Sequence, residues 1–93
     1  MSRQARLEDL HDHLAATAER PVEREASRWL GEAEAVAGDA ARADFDDETL
    51  RDRLGEVQHL LSNVEGTGDE VADEHVAAAK ELVGDLLADL DEQ

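Results

Sequence analysis

Two glutamates precede a histidine by three residues, Glu8 with His11 and Glu56 with His59. On a helix this spacing puts both side chains on one face, and two such Glu-x-x-His pairs facing each other are how a helical bundle builds a di-metal carboxylate site. The phase of the surrounding apolar residues argues against that use. His11 flanks the stripe of Leu7 and Leu14, whereas His59 points about 180° away from Leu50, Leu54 and Leu61 and so faces water. With thirteen glutamates and four histidines, two such pairs arise by chance about one time in ten. His11 and His13 stand two residues apart and so leave a helix on different sides, which is the wrong spacing for holding one ion together. His75 falls on an apolar helix face with Val71, Ala79 and Leu82. A satisfied, partly buried histidine is the plain expectation there. The sharper alternative is a small-ligand-binding or metal-binding bundle with catalysis centred on His11 and His75.

Other reactive constellations are missing from the sequence. There is no cysteine, Ser27 and Ser62 fall inside helices without a partner, and the "GTG" of residues 66–68 lacks the lysine and spacing of a phosphate loop. The acidic clusters at Asp44, Asp46, Asp47 and Glu48, and at Asp69, Glu70, Asp73 and Glu74, lack the spacing of a calcium loop and suit helix starts instead. No catalytic residue, metal-ligand set or cofactor site is assigned, and a non-enzymatic role is expected.

Arg20, Arg24 and Arg28 recur every four residues and would form one ridge on the helix face away from Trp29. Arg20 precedes Pro21, which disfavours the helical conformation at that position. Arg28 has Glu25 and Glu32 within reach along the helix, but Arg24 has no acid three or four residues away and arginines at both four-residue neighbours. The ridge is therefore poorly built for helix stability alone, and an acidic partner helix or an anion is the functional reading. Trp29 is expected as a core anchor, with a protein-binding contact as its second role.

These residues need a frame, and the composition supplies it. The apolar inventory is mainly sixteen Ala, twelve Leu and seven Val, with one Phe, one Trp, and no Ile or Tyr, which favours helix over strand. A chain of 93 residues makes one domain. Helix one is predicted from a Ser2 cap to about Ala18, with Leu7, Leu10 and Leu14 inward. Helix two follows, with Pro21 in its first turn and Val22, Ala26, Trp29, Ala33, Val36 and Ala40 as its seam, Gly31 and Gly38 facing away. Asp46 caps helix three, Phe45 stapling onto Leu50, and Leu50, Leu54, Val57, Leu61 and Val64 form its inner face. Gly66 ends that helix, and Thr67 with Glu70 forms a capping box for helix four. Short loops make this a small antiparallel four-helix bundle, up-down-up-down, spanning residues 1–93. Helix four carries an apolar arc of roughly 180°, wider than one surface helix needs, and its outer positions Val76, Val83 and Leu87 are the expected surface for self-association.

Twenty-five acidic residues against nine basic ones leave a formal net charge of −16. Such a surface repels nucleic-acid phosphates and anionic lipid, and its self-repulsion is relieved at molar salt, where the Debye length is about 3 Å. The acidity therefore reads as adaptation to a salty solvent. The N-terminal stretch "MSRQARLEDLHDHL" has no apolar targeting core and no segment is apolar enough to span a membrane, so a cytoplasmic protein is expected. The stretches "LHDHLAATAERPVEREASRWLGEAEAVAGDAA" and "GTGDEVADEHVAAAKEL" resemble a family of short uncharacterised proteins of halophilic archaea, a domain of unknown function. That resemblance implies salt adaptation and carries no activity, cofactor or site residue. The expectation is a salt-adapted interaction or structural module that associates with itself or with another protein.

Overall fold

Ser2 stops the incoming chain in an extended conformation, and its Oγ accepts the Ala5 N–H at 3.1 Å, so that α1 runs Arg3–Thr17. In the computed structural model, which describes residues 2–92, α2 is Arg24–Arg42, α3 is Asp47–Ser62 and α4 is Glu70–Asp91, with no strand among the described residues. Leu7, Leu10 and Leu14 point inward from α1 as their spacing requires. Thr17 extends this face, and its buried hydroxyl is satisfied by donating to the Leu14 carbonyl at 2.6 Å.

The start of α2 differs from the expectation. Pro21 lies outside the helix, and the Glu23 N–H donates to the Thr67 carbonyl of the α3–α4 loop at 2.8 Å, which holds the chain extended until Arg24. The seam is also turned. Ala26, Leu30, Ala33, Ala37 and Ala40 are buried, while Val22, Trp29 and Val36 are half-buried. The small alanines let neighbouring helices approach closely, and the indole is accommodated at the rim of the core. Gly38, expected on the outer face, is buried with the seam.

Asp46 caps α3, its Oδ1 accepting the Thr49 N–H at 2.8 Å, and this hydrogen bond holds the Asp46 carboxyl below its ordinary value. Phe45 precedes the cap and packs against the core to which Leu50 belongs, as a hydrophobic staple does, with the Arg53 guanidinium 5.7 Å from its ring centre. The cap of α4 is Asp69, not Thr67. Thr67 is fully buried, its N–H and hydroxyl both reaching Asp73 Oδ1 at 2.8 Å, and so it pins the loop instead of capping the helix.

Each helix packs on two neighbours, α1 on α2 and α4, and α3 on α2 and α4, and neither diagonal pair packs together. The molecule measures 38 × 21 × 20 Å, a cross-section of two helices by two, each about 10–12 Å wide. One core joins inward leucines, valines and alanines of all four helices. Ala72, Val76, Ala79, Val83, Leu86 and Leu90 form the buried stripe of α4, and α1 and α3 cover it from both sides. No helix of the described residues is long and apolar enough to cross a membrane.

Candidate functional site

The predicted arginine ridge divides in the structure. Arg20 stands before α2, where its guanidinium grips Asp69 with two hydrogen bonds, from Nε at 2.9 Å and Nη2 at 3.1 Å. Asp69 is at the same time the α4 cap, accepting the Ala72 N–H at 2.9 Å. The Arg20 guanidinium and that backbone bond hold the Asp69 carboxyl below its usual range, and the carboxylate in turn raises Arg20. Gly68 makes the turn possible with φ at +82°, a conformation that side chains disfavour. With the Glu23 to Thr67 bond, this joins the α1–α2 and α3–α4 loops at one end of the bundle. Arg20 is thus a clasp between loops and not a third member of a helical row.

Arg24 and Arg28 remain on the outer face of α2, both exposed. The Arg28 guanidinium lies 5.8 Å from the Trp29 ring centre. Six other arginines form ion pairs: Arg3 with Asp47, Arg6 with Asp89, Arg20 with Asp69, Arg42 with Asp39, Arg51 with Asp91 and Arg53 with Glu56. Among the described residues Arg24 and Arg28 alone of the arginines have none. Glu25 and Glu32, in reach of Arg28 by helical spacing, do not pair with it.

The histidines are distributed differently from the expectation. His11 does not meet His75: it turns toward α2, where its ring lies against Gly38 and lines an open groove of about 510 Å³ with Glu8, Asp9, Asp12 and Arg42. His75 meets His13 instead, the two Nδ1 atoms 2.9 Å apart between α4 and α1. Sequence spacing rejected His11 and His13 as partners of each other but held no signal for a contact 62 residues away. His59 is exposed on α3, and Glu56 beside it pairs with Arg53. Because α1 and α3 are diagonal, the two Glu-x-x-His pairs do not come together, and no group of three or more metal-ligating side chains occurs among the described residues.

The surface expected for self-association is also rearranged. Val76 and Val83 are buried in the core and Leu87 is half-buried against it. An arc this broad is explained by two flanking helices, one on each side. Val71, 40% exposed, is the large apolar residue left open among the described residues. Val76 and Val83 therefore do not lie on the outer surface of α4.

The chain belongs to a family of domains of unknown function, DUF8152, which it matches over residues 6–93. No curated protein and no solved structure matches it.

Proposed function

We propose that this member of the family is a salt-adapted, cytoplasmic protein-interaction module that receives an acidic partner on the outer face of α2, through Arg24 and Arg28 beside Trp29. The observation that carries this reading is the pair of arginines left without an ion pair in a chain of twenty-five acidic residues and net charge −16. Local acids are abundant, so two exposed guanidiniums with none in contact are cations held available for an external carboxylate. Arginine and tryptophan side by side are also the residue types that most often dominate the energy of a protein interface. Nucleic acid and anionic lipid fit poorly, because the rest of the surface repels them. The role requires no reaction chemistry from the chain.

Co-purification in high salt tests the reading, with the wild-type chain, the double variant Arg24→Gln/Arg28→Gln and the control Arg42→Gln as baits. A partner with an acidic contact region should be retained by wild type and by Arg42→Gln and lost by the double variant, whose melting temperature should stay that of the wild type. Recovery of the same partner by the double variant would overturn the proposal. Light scattering on the pure chain identifies the partner further. A dimer that disappears in the double variant makes it a second copy, with its acidic clusters against these arginines, and a monomer makes it another protein.

A further inference from the structure

We propose that His13 and His75 form a two-imidazole site for a divalent transition-metal ion, Cu(II) before Ni(II) and Zn(II). Their Nδ1 atoms come from different helices and lie 2.9 Å apart, with ring centres separated by 5.2 Å and planes inclined at 47°. The nitrogens, rather than the ring faces, make the approach. Between two neutral rings one Nδ1–H donates and the other Nδ1 accepts, and for both Nδ1 atoms to bind a metal ion the donor ring's proton moves to its own Nε2. Replacing that proton by a metal ion needs two lone pairs turned toward a common point and a gap of the right width.

The width discriminates among ions. Two metal–nitrogen bonds of about 2.0 Å place their nitrogens roughly 2.8 Å apart at a right angle and roughly 3.3 Å apart at a tetrahedral angle. The observed 2.9 Å fits adjacent positions of a tetragonal ion without any change in helix spacing, and only the rings need to pivot. Tetragonal geometry with imidazole donors suits Cu(II) and Ni(II), the order of affinities favours Cu(II), and the hard ions Mg(II) and Ca(II) prefer oxygen. Both histidines are half-buried, so each is held by its neighbours on one side while water reaches the other. Water then completes the coordination, since no third His, Asp or Glu joins the pair among the described residues. Net charge −16 concentrates cations at the surface. The bound ion would tie α1 to α4 and stabilise the folded form by mass action.

The experiment uses the full chain in buffered KCl with excess Mg(II), which occupies the surface carboxylates. Cu(II) is titrated calorimetrically, nitrogen ligation is read from the electron paramagnetic resonance spectrum, and melting is followed with and without the metal. Wild type should bind one Cu(II) with two nitrogen donors and melt at a higher temperature with it. His13→Gln and His75→Gln should each weaken binding at least tenfold and remove the thermal shift, whereas His11→Gln should retain both. Circular dichroism without metal shows whether each variant is folded, and the wild-type spectrum stands independently of them. A single-nitrogen wild-type spectrum, undiminished binding in a folded His13→Gln or His75→Gln chain, loss of binding in His11→Gln, or binding abolished by Mg(II) would each overturn the site.

Discussion

Gly31 and Gly38 stand seven residues apart on α2, so helical geometry gives them nearly the same direction, yet replacing each by alanine should have different consequences. In a helix interior alanine is favoured over glycine by about 0.8–1.0 kcal/mol. A Cβ at Gly31 meets nothing within 4 Å, and the residue is exposed. Gly31→Ala should therefore realise the whole gain, raising the melting temperature by roughly 4–8 °C for a domain of this size. At Gly38 the new Cβ would lie 3.2 Å from His11 Cδ2, 3.3 Å from His11 Nε2 and 3.2 Å from Arg42 Nη1. The Arg42 end is flexible and can move aside. The His11 ring is wedged between α1 and α2, and overpacking such a contact costs typically about 1–3 kcal/mol. The sum for Gly38→Ala is therefore near zero or destabilising, by up to about 2 kcal/mol. Thermal melts of the two variants beside wild type, in one high-salt buffer, measure the difference. An equal rise for both would show that the His11 ring yields to the new Cβ without cost, and would refute the overpacking argument.

Leu54, fully buried at the centre of α3, should lose about 2–5 kcal/mol on replacement by alanine, seen as a lower denaturation midpoint. Asp69→Ala removes both the α4 cap and the partner of Arg20, and should lower the melting temperature near neutral pH. The Asp69 carboxyl is depressed in the folded form, so its contribution is complete above the ordinary aspartate value of about 3.9 and is lost as the pH falls through the lower folded value. The gap between wild type and Asp69→Ala should accordingly stay constant from about pH 7 to pH 5 and close only under stronger acid. Wild type should also melt lower as KCl is reduced from multimolar to about 0.1 M, where the Debye length grows to about 10 Å and carboxylates repel over longer range; an unchanged melting point would remove the support for salt adaptation.

Local chemistry made part of this molecule readable in advance. Ser2 and Asp46 act as caps because a short oxygen-bearing side chain needs only a backbone N–H three residues away, and Phe45, just before the Asp46 cap, packs against the core. The inward leucines of α1 and α3 follow from spacing, since each stripe has a polar face opposite it. α2 was harder. Its alanines lie on more than one face, so several rotations about its axis bury a similar pattern, and only packing between α1 and α3 selected Leu30 and Ala37 for the core and left Trp29 at the rim. The same holds for α4, where the width of the apolar arc was legible but its cause, coverage from two sides, was not.

What the sequence determined by itself was interaction over a few residues: helix content, the caps of α1 and α3, the bundle class and the charge. The tertiary structure decided what depends on distant neighbours and on the rotation of one helix against another. Thr67 and Asp69 both match a capping pattern, and the choice fell to Asp69 because Thr67 is drawn inward by Asp73 and by Glu23 from the other loop. Arg20 left the ridge because Asp69, 49 residues away, lies within its reach. His13 found His75 across the bundle for the same reason. Periodicity tells which side of a helix is apolar, but the partner a polar side chain meets is set by how far adjacent helices slide and turn before their side chains interlock.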